Sequence, residues 1–89
     1  MAFQSKDLSV LAYANGFTLW HYTTIDTAAS VDTAGYFNDA SDMLRTGDMV
    51  FANTDTEGTP AGGIFIINAN ASGIVDADDM TQIGGTDTD

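Results

Sequence analysis

The sequence predicts a mainly β (α+β) domain, a small antiparallel sandwich or barrel-like fold of about five strands with one short helix. Three observations carry this. Residues 8–24, LSVLAYANGFTLWHYTT, are two apolar, β-prone runs joined by Asn15-Gly16, the preferred pair for a two-residue type I′ turn because both positions need positive φ. Two further apolar runs, DMVFAN at 48–53 and IFIINAN at 64–70, are separated by DTEGTPAGG, which is dense in turn-forming residues. One stretch, TAGYFNDASDML at 33–44, repeats its apolar residues at helical spacing.

Taken in order, residues 1–7 form an N-terminal arm that holds Phe3 and Lys6 and shows no periodicity. In the hairpin, the Asn-Gly tip fixes the register. It predicts the pairs Ala14 with Phe17, Ala12 with Leu19, Leu11 with Trp20, Val10 with His21 and Ser9 with Tyr22. Strand alternation then places Leu8, Val10, Ala12, Ala14, Phe17, Leu19 and His21 on one face, and Leu11, Tyr13, Trp20 and Tyr22 on the other. Both faces are apolar or aromatic, whereas a half-solvated hairpin shows one polar face. The hairpin is therefore expected to be covered on both sides. An 89-residue chain is short of material for that, which predicts a partner surface.

Residues 25–30 are a small-residue connector. Asp32 is the expected N-cap of a helix over 33–44, with Tyr36, Ala40 and Met43 on one stripe and Phe37, Ala40 and Leu44 beside it. Gly35 weakens that helix by about 1 kcal/mol relative to Ala. Arg45 suits the last turn and Gly47 the C′ position. Strands follow at 48–53 and 64–70, the latter apolar enough for the sheet centre, with a loop over 55–63. Ser72-Gly73 is a turn, Ile74-Val75 begins a last short strand, and Met80 and Ile83 are the final apolar anchors. The organisation is thus an arm (1–7), a single β-rich domain (8–83) and an acidic flexible tail (84–89), with consecutive strands paired antiparallel.

Thirteen acidic residues face two basic ones, Lys6 and Arg45, for a net charge of −11. Nucleic-acid binding needs a basic patch that releases counterions, and an anionic membrane surface is disfavoured for the same reason. The charge fits solubility and mutual repulsion, a high-salt habitat, or docking onto a basic surface. Without cysteines there is neither a disulfide nor a thiolate metal ligand, so oligomerisation is the remaining common staple for so small a domain. The N-terminus lacks a basic region followed by an apolar run, and no apolar segment reaches the ~20 residues that span a bilayer.

Catalytic and metal motifs are weak. His21 is the single histidine, lies between Trp20 and Tyr22 in a strand, and has no G-x-S-x-G elbow to serve, so it reads as structural. Asn53, Asp55, Glu57 and Gly58 imitate the first half of an EF-hand loop, but Ile64 stands where the bidentate Glu belongs, and the segment reads as an acidic turn. Asp76, Asp78 and Asp79 form a second acidic cluster, read as a solvated face. Whether either cluster holds a cation stays open. Gly62-Gly63 precedes a strand rather than a helix, the wrong setting for a phosphate loop. No catalytic residue, cofactor or metal is expected. The aromatic group Tyr13, Trp20, Tyr22, Tyr36 and Phe37 is either ordinary core or a set of interface anchors.

The run LSVLAYANGFTLWHYTT, then DTAASVDTAGYFNDASDMLRTGDMVFAN, then GTPAGGIFIINANASGIVDADDM, resembles a family of small proteins encoded among the structural genes of tailed bacteriophages and prophages. The shared pattern covers residues 8–83 and consists of structural rather than catalytic residues. The resemblance implies a capsid decoration (cement) protein, made in the bacterial cytoplasm and bound to the major capsid protein on the outer surface of the virion. It assigns no binding residue. Capsid symmetry leads to the expectation of a homo-oligomer, a trimer. The contact candidates are Phe3, Lys6, Tyr13, Trp20, His21, Tyr22 and Arg45. The alternative is a tail or head-fibre module that binds a host receptor or glycan.

Overall fold

In the computed structural model, which describes residues 3–14 and 16–84, six strands form one mixed sheet. β1 (Leu8–Ala14) and β2 (Phe17–Thr23) make the hairpin, β3 (Met49–Thr54) and β4 (Ala61–Ala71) lie at the centre, and β5 (Ile74–Ala77) and β6 (Thr81–Ile83) both pair with β4. The order is β1-β2-β3-β4-β5, and the sheet does not close into a barrel. The expected tip residue Asn15 and tail residues 85–89 lie outside the described residues.

Consecutive strands are not all antiparallel. β2 and β3 run parallel, from Leu19↔Met49 to Thr23↔Asn53. The reason is the length of the connection: residues 24–48 suffice for the crossover that a parallel pair requires. The hairpin keeps the expected register near its tip, with Ala14↔Phe17 and Ala12↔Leu19, but a bulge at Leu11 shifts everything beyond it to Val10↔Trp20, Ser9↔His21 and Leu8↔Tyr22. Leu8 therefore shares a face with Tyr22, not with His21. β5 and β6 are two ends of one interrupted strand. Ala71↔Ile74 and Gly62↔Ile83 are symmetric about the same turn, Ser72-Gly73, whose φ values of 55° and 79° fit a type I′ hairpin.

The crossover is not the expected helix. The α1 helix is the single turn Ala28–Val31, capped by Thr27, whose Oγ1 accepts from Ser30 N–H at 3.3 Å. Residues 33–44 are turns with one 3-10 turn at Asn38–Ala40. Gly35 breaks the helix at φ 91°, and its N–H donates to Val75 O at 2.9 Å. Asn38 Oδ1 accepts from Val75 N–H at 2.9 Å. Tertiary pairing with β5 thus overrides local helix formation. The apolar spacing still marks the core, since Phe37, Ala40 and Leu44 are buried while Met43 is exposed.

The core lies on one side of the sheet. Rows Trp20–Val50–Phe65 and Leu8–Tyr22–Ala52–Gly63 run across the strands, covered by Val31, Phe37 and Leu44 of the crossover, while Val10, opposite Trp20 on the outer strand, stays exposed. Phe3 of the arm joins this core, stacked on Tyr22 at 5.4 Å between centroids. Of the two final anchors, Met80 packs on the core, whereas Ile83 is 59% exposed. Among the described residues no helix is long and apolar enough to cross a membrane.

Candidate functional site

Two polar devices tie the covered face together. Asp48, just before β3, is 1% exposed. Its Oδ2 accepts from Trp20 Nε1–H and Arg45 N–H, each at 3.1 Å, and its Oδ1 accepts from Thr18 N–H at 3.1 Å. One buried carboxyl group thereby fixes β2, the end of the crossover and the indole. The second device runs through the aromatic cluster. Gln4 N–H donates to Tyr22 Oη at 3.2 Å, Tyr22 and Tyr36 share a 2.9 Å hydroxyl contact, and Tyr36 O–H donates to Asp26 Oδ2 at 2.6 Å. Since Tyr36 gives its proton to Asp26, Tyr22 is the donor in the contact between the two phenols. Burial pushes the Asp26 carboxyl up, but hydrogen bonds that favour its charged form, that from Tyr36 foremost, outweigh it and hold Asp26 below its ordinary value. Burial first, then the hydrogen bond it donates to Asp26, hold the Tyr36 phenol well above its ordinary range.

The opposite face has no cover among the described residues. Strand alternation puts Leu19, Met49 and Ile66 in one row and His21, Phe51, Ile64 and Thr81 in the next. Met49, Phe51 and Ile66 are each 37% exposed although they stand in the middle of the sheet. Met49, Ile64 and Ile66 floor a shallow depression, with Asp76, Asp78 and Asp79 along one side. A smaller hollow lies between His21, Phe51, Asn53 and Ile83. Burial first, then the neighbouring carboxyl groups of Asp79 and Asp76, pushes the Asp32 carboxyl beside this rim upward.

The contact candidates divide between the two faces. Phe3, Trp20 and Tyr22 lie in the chain's own core at 8, 7 and 0% exposure. Tyr22 is enclosed by the rings of Phe3, Tyr36 and Phe37, with centroids 5.4, 6.2 and 5.5 Å from its own, and the Leu11 bulge sets Leu8 rather than Ser9 opposite it. His21 faces the bare side, half-buried, with its Nε2 3.2 Å from Asn53 Nδ2. Tyr13 is 65% exposed on the outermost strand, and Arg45 and Lys6 are exposed. The expected acidic turn is present at 55–58, where Gly58 N–H donates to Asp55 O at 3.0 Å and Asp55 Oδ2 accepts from Thr59 N–H at 3.2 Å. Among the described residues no group of three or more His, Asp or Glu is arranged to hold a metal ion.

Sequence reasoning missed Met49, Phe51, Ile64 and Ile66 as a surface. The signal was available: β3 and β4 are apolar at successive positions, so both of their faces are apolar, as in the hairpin. Compared with protein-family models, curated proteins and solved structures, the chain matches none.

Proposed function

We propose that this chain is a structural bacteriophage virion protein, a capsid decoration (cement) protein that binds the outside of the assembled head and stabilises it without chemistry. The observation that carries the reading is the uncovered patch of Met49, Phe51 and Ile66, apolar side chains left partly exposed in the middle of the sheet. Binding only to the assembled lattice stabilises the shell by linkage. The net charge of −11 keeps free copies apart and steers them to positive patches on the shell. The context comes from the resemblance, read in the sequence of residues 8–83, to small proteins of phage structural genes.

Quantitative mass spectrometry of particles made by the encoding genome tests this. A decoration protein is expected at a fixed ratio of roughly one copy per one to three shell subunits. Phe51→Asp and Ile66→Asp are expected to remove the chain from particles while circular dichroism stays native. A handful of copies per particle would transfer the reading to a tail or fibre module, and absence from particles would overturn it.

A further inference from the structure

The two edges of the sheet are protected differently. At the β5 edge the crossover is hydrogen-bonded to Val75 through Gly35 N–H and Asn38 Oδ1, and Asp76, Asp78 and Asp79 follow in the same strand and its continuation. Covering and charge are the usual ways of closing an edge to other chains. β1, at the other end, pairs with β2 on one side and, among the described residues, with nothing on the other. It contains no Asp, Glu, Lys, Arg or Pro, and its Val10, Leu11 and Tyr13 are 56, 53 and 65% exposed.

Charge selects the occupant of that edge. At −11, two copies of the chain repel one another over most approaches. Two long stretches carry no Asp, Glu, Lys or Arg, 8–25 and 58–75. The second contains β4, which is paired on both of its edges. The first is the hairpin, whose outer strand is β1. Asp7 at its start is held by Lys6 at 3.2 Å. β6, the other uncharged strand with one free side among the described residues, is only the three residues Thr81–Ile83, close behind Asp78 and Asp79, so the hairpin edge is the longest place where unpaired backbone groups and freedom from carboxylate repulsion coincide.

We infer that β1 is a self-docking strand: two copies pair their β1 strands antiparallel about a two-fold axis and join their sheets into one. Such an interface is isologous and uses up the β1 edge; on the far side β5 is covered by the crossover and β6 is three residues long beside Asp78 and Asp79, so growth stops there. The product is a closed pair rather than a fibre, and it differs from the trimer expected from capsid symmetry. The bulge divides β1 into two regular runs, 8–10 and 12–14, and so limits the pairing to short stretches and the association to a weak one. The pairing is independent of what the outer face binds.

Sedimentation equilibrium of the full chain over a concentration series tests this. A reversible monomer–dimer equilibrium is expected, tightening as salt screens the carboxylates. Val10→Lys and Tyr13→Lys, both at exposed positions and checked by circular dichroism, are each expected to weaken the dimer by about tenfold or more. Ile83→Lys, exposed on the outer face, leaves it unchanged. Hydrogen exchange of the wild-type chain adds a readout without substitution, since β1 amides gain protection as concentration rises. A monomer at every concentration and salt, a trimer or larger species, a dimer indifferent to both β1 lysines, or a dimer dissolved by Ile83→Lys would overturn the inference.

Discussion

The Trp20 indole N–H donates to Asp48 Oδ2 at 3.1 Å, with both side chains buried and 28 residues apart in sequence. The same carboxyl group takes the Thr18 and Arg45 amide protons, so three donors depend on one acceptor. Asp48→Ala leaves all three without it and is expected to destabilise the fold by roughly 3 kcal/mol. Trp20→Phe removes one donor and part of the buried ring, at a cost of about 1–2 kcal/mol. The double variant is expected to cost less than the sum, because the two share one bond. Urea denaturation followed by far-UV circular dichroism measures the cycle, and additive losses would show that the pair is not coupled.

Asp26 and Asp32 are expected to give opposite pH dependence. Unfolded aspartate titrates near about pH 3.9. Asp26 is lower than that when folded, so its stabilisation is full above the unfolded value and is lost as pH falls through the folded one. Asp32 is raised, so the folded state binds its proton more tightly, and stability is lost as pH rises through its folded value. Asp26→Asn should therefore be destabilising at neutral pH and flatten the acid side of the stability profile. Asp32→Asn should be stabilising at neutral pH, with the gain shrinking on acidification. Thermal midpoints at neutral pH and near about pH 3 decide this, and equal responses of the two variants would contradict it.

Gly62 and Gly63 are neighbours in β4 with different demands on them. A Cβ on Gly63 would run into Thr81 O and the Met80 side chain, where β6 lies close. On Gly62 the nearest atoms are Asn53 Oδ1 at 3.6 Å and Ala52 O at 3.7 Å, ordinary contact distances. Gly63→Ala is expected to cost about 1–3 kcal/mol by overpacking and to expose the β6 amides to hydrogen exchange. Gly62→Ala should be nearly neutral. Equal effects would mean that β6 does not pack as described.

What was legible in the sequence follows the range of the interaction. The Asn-Gly pair fixes contacts next to it, so Ala14↔Phe17 and Ala12↔Leu19 were readable, while the Leu11 bulge three positions on has no local signature. Apolar spacing marked Phe37, Ala40 and Leu44 for burial, because burial needs only a common side, not a helix. The parallel register of β2 on β3 depends on residues 30 apart, and nothing local specifies it. Asp48 looked like any of the thirteen acidic residues, since its role is set by donors from β2 and the crossover. The bare face was readable only in outline, from a short chain whose strands are apolar on both sides.

Gly35 separates the helical reading of 33–44 from the observed turns by the sign of one substitution. In a helix, Gly35→Ala would stabilise by about 1 kcal/mol through propensity. At φ 91° the added Cβ is instead strained, at a cost of about 1–2 kcal/mol, and it would press on Asn38 Nδ2 at 3.4 Å. Asn38 holds Val75 N–H while Gly35 holds Val75 O, so disturbing the glycine also loosens the crossover from β5. Asn38→Ala alone should cost about 1 kcal/mol, and the pair of substitutions should fall short of additivity because both act on Val75. Urea midpoints of the three variants are the measurement. A more stable Gly35→Ala would mean that the segment is helical in solution and that the β5 edge lacks its cover.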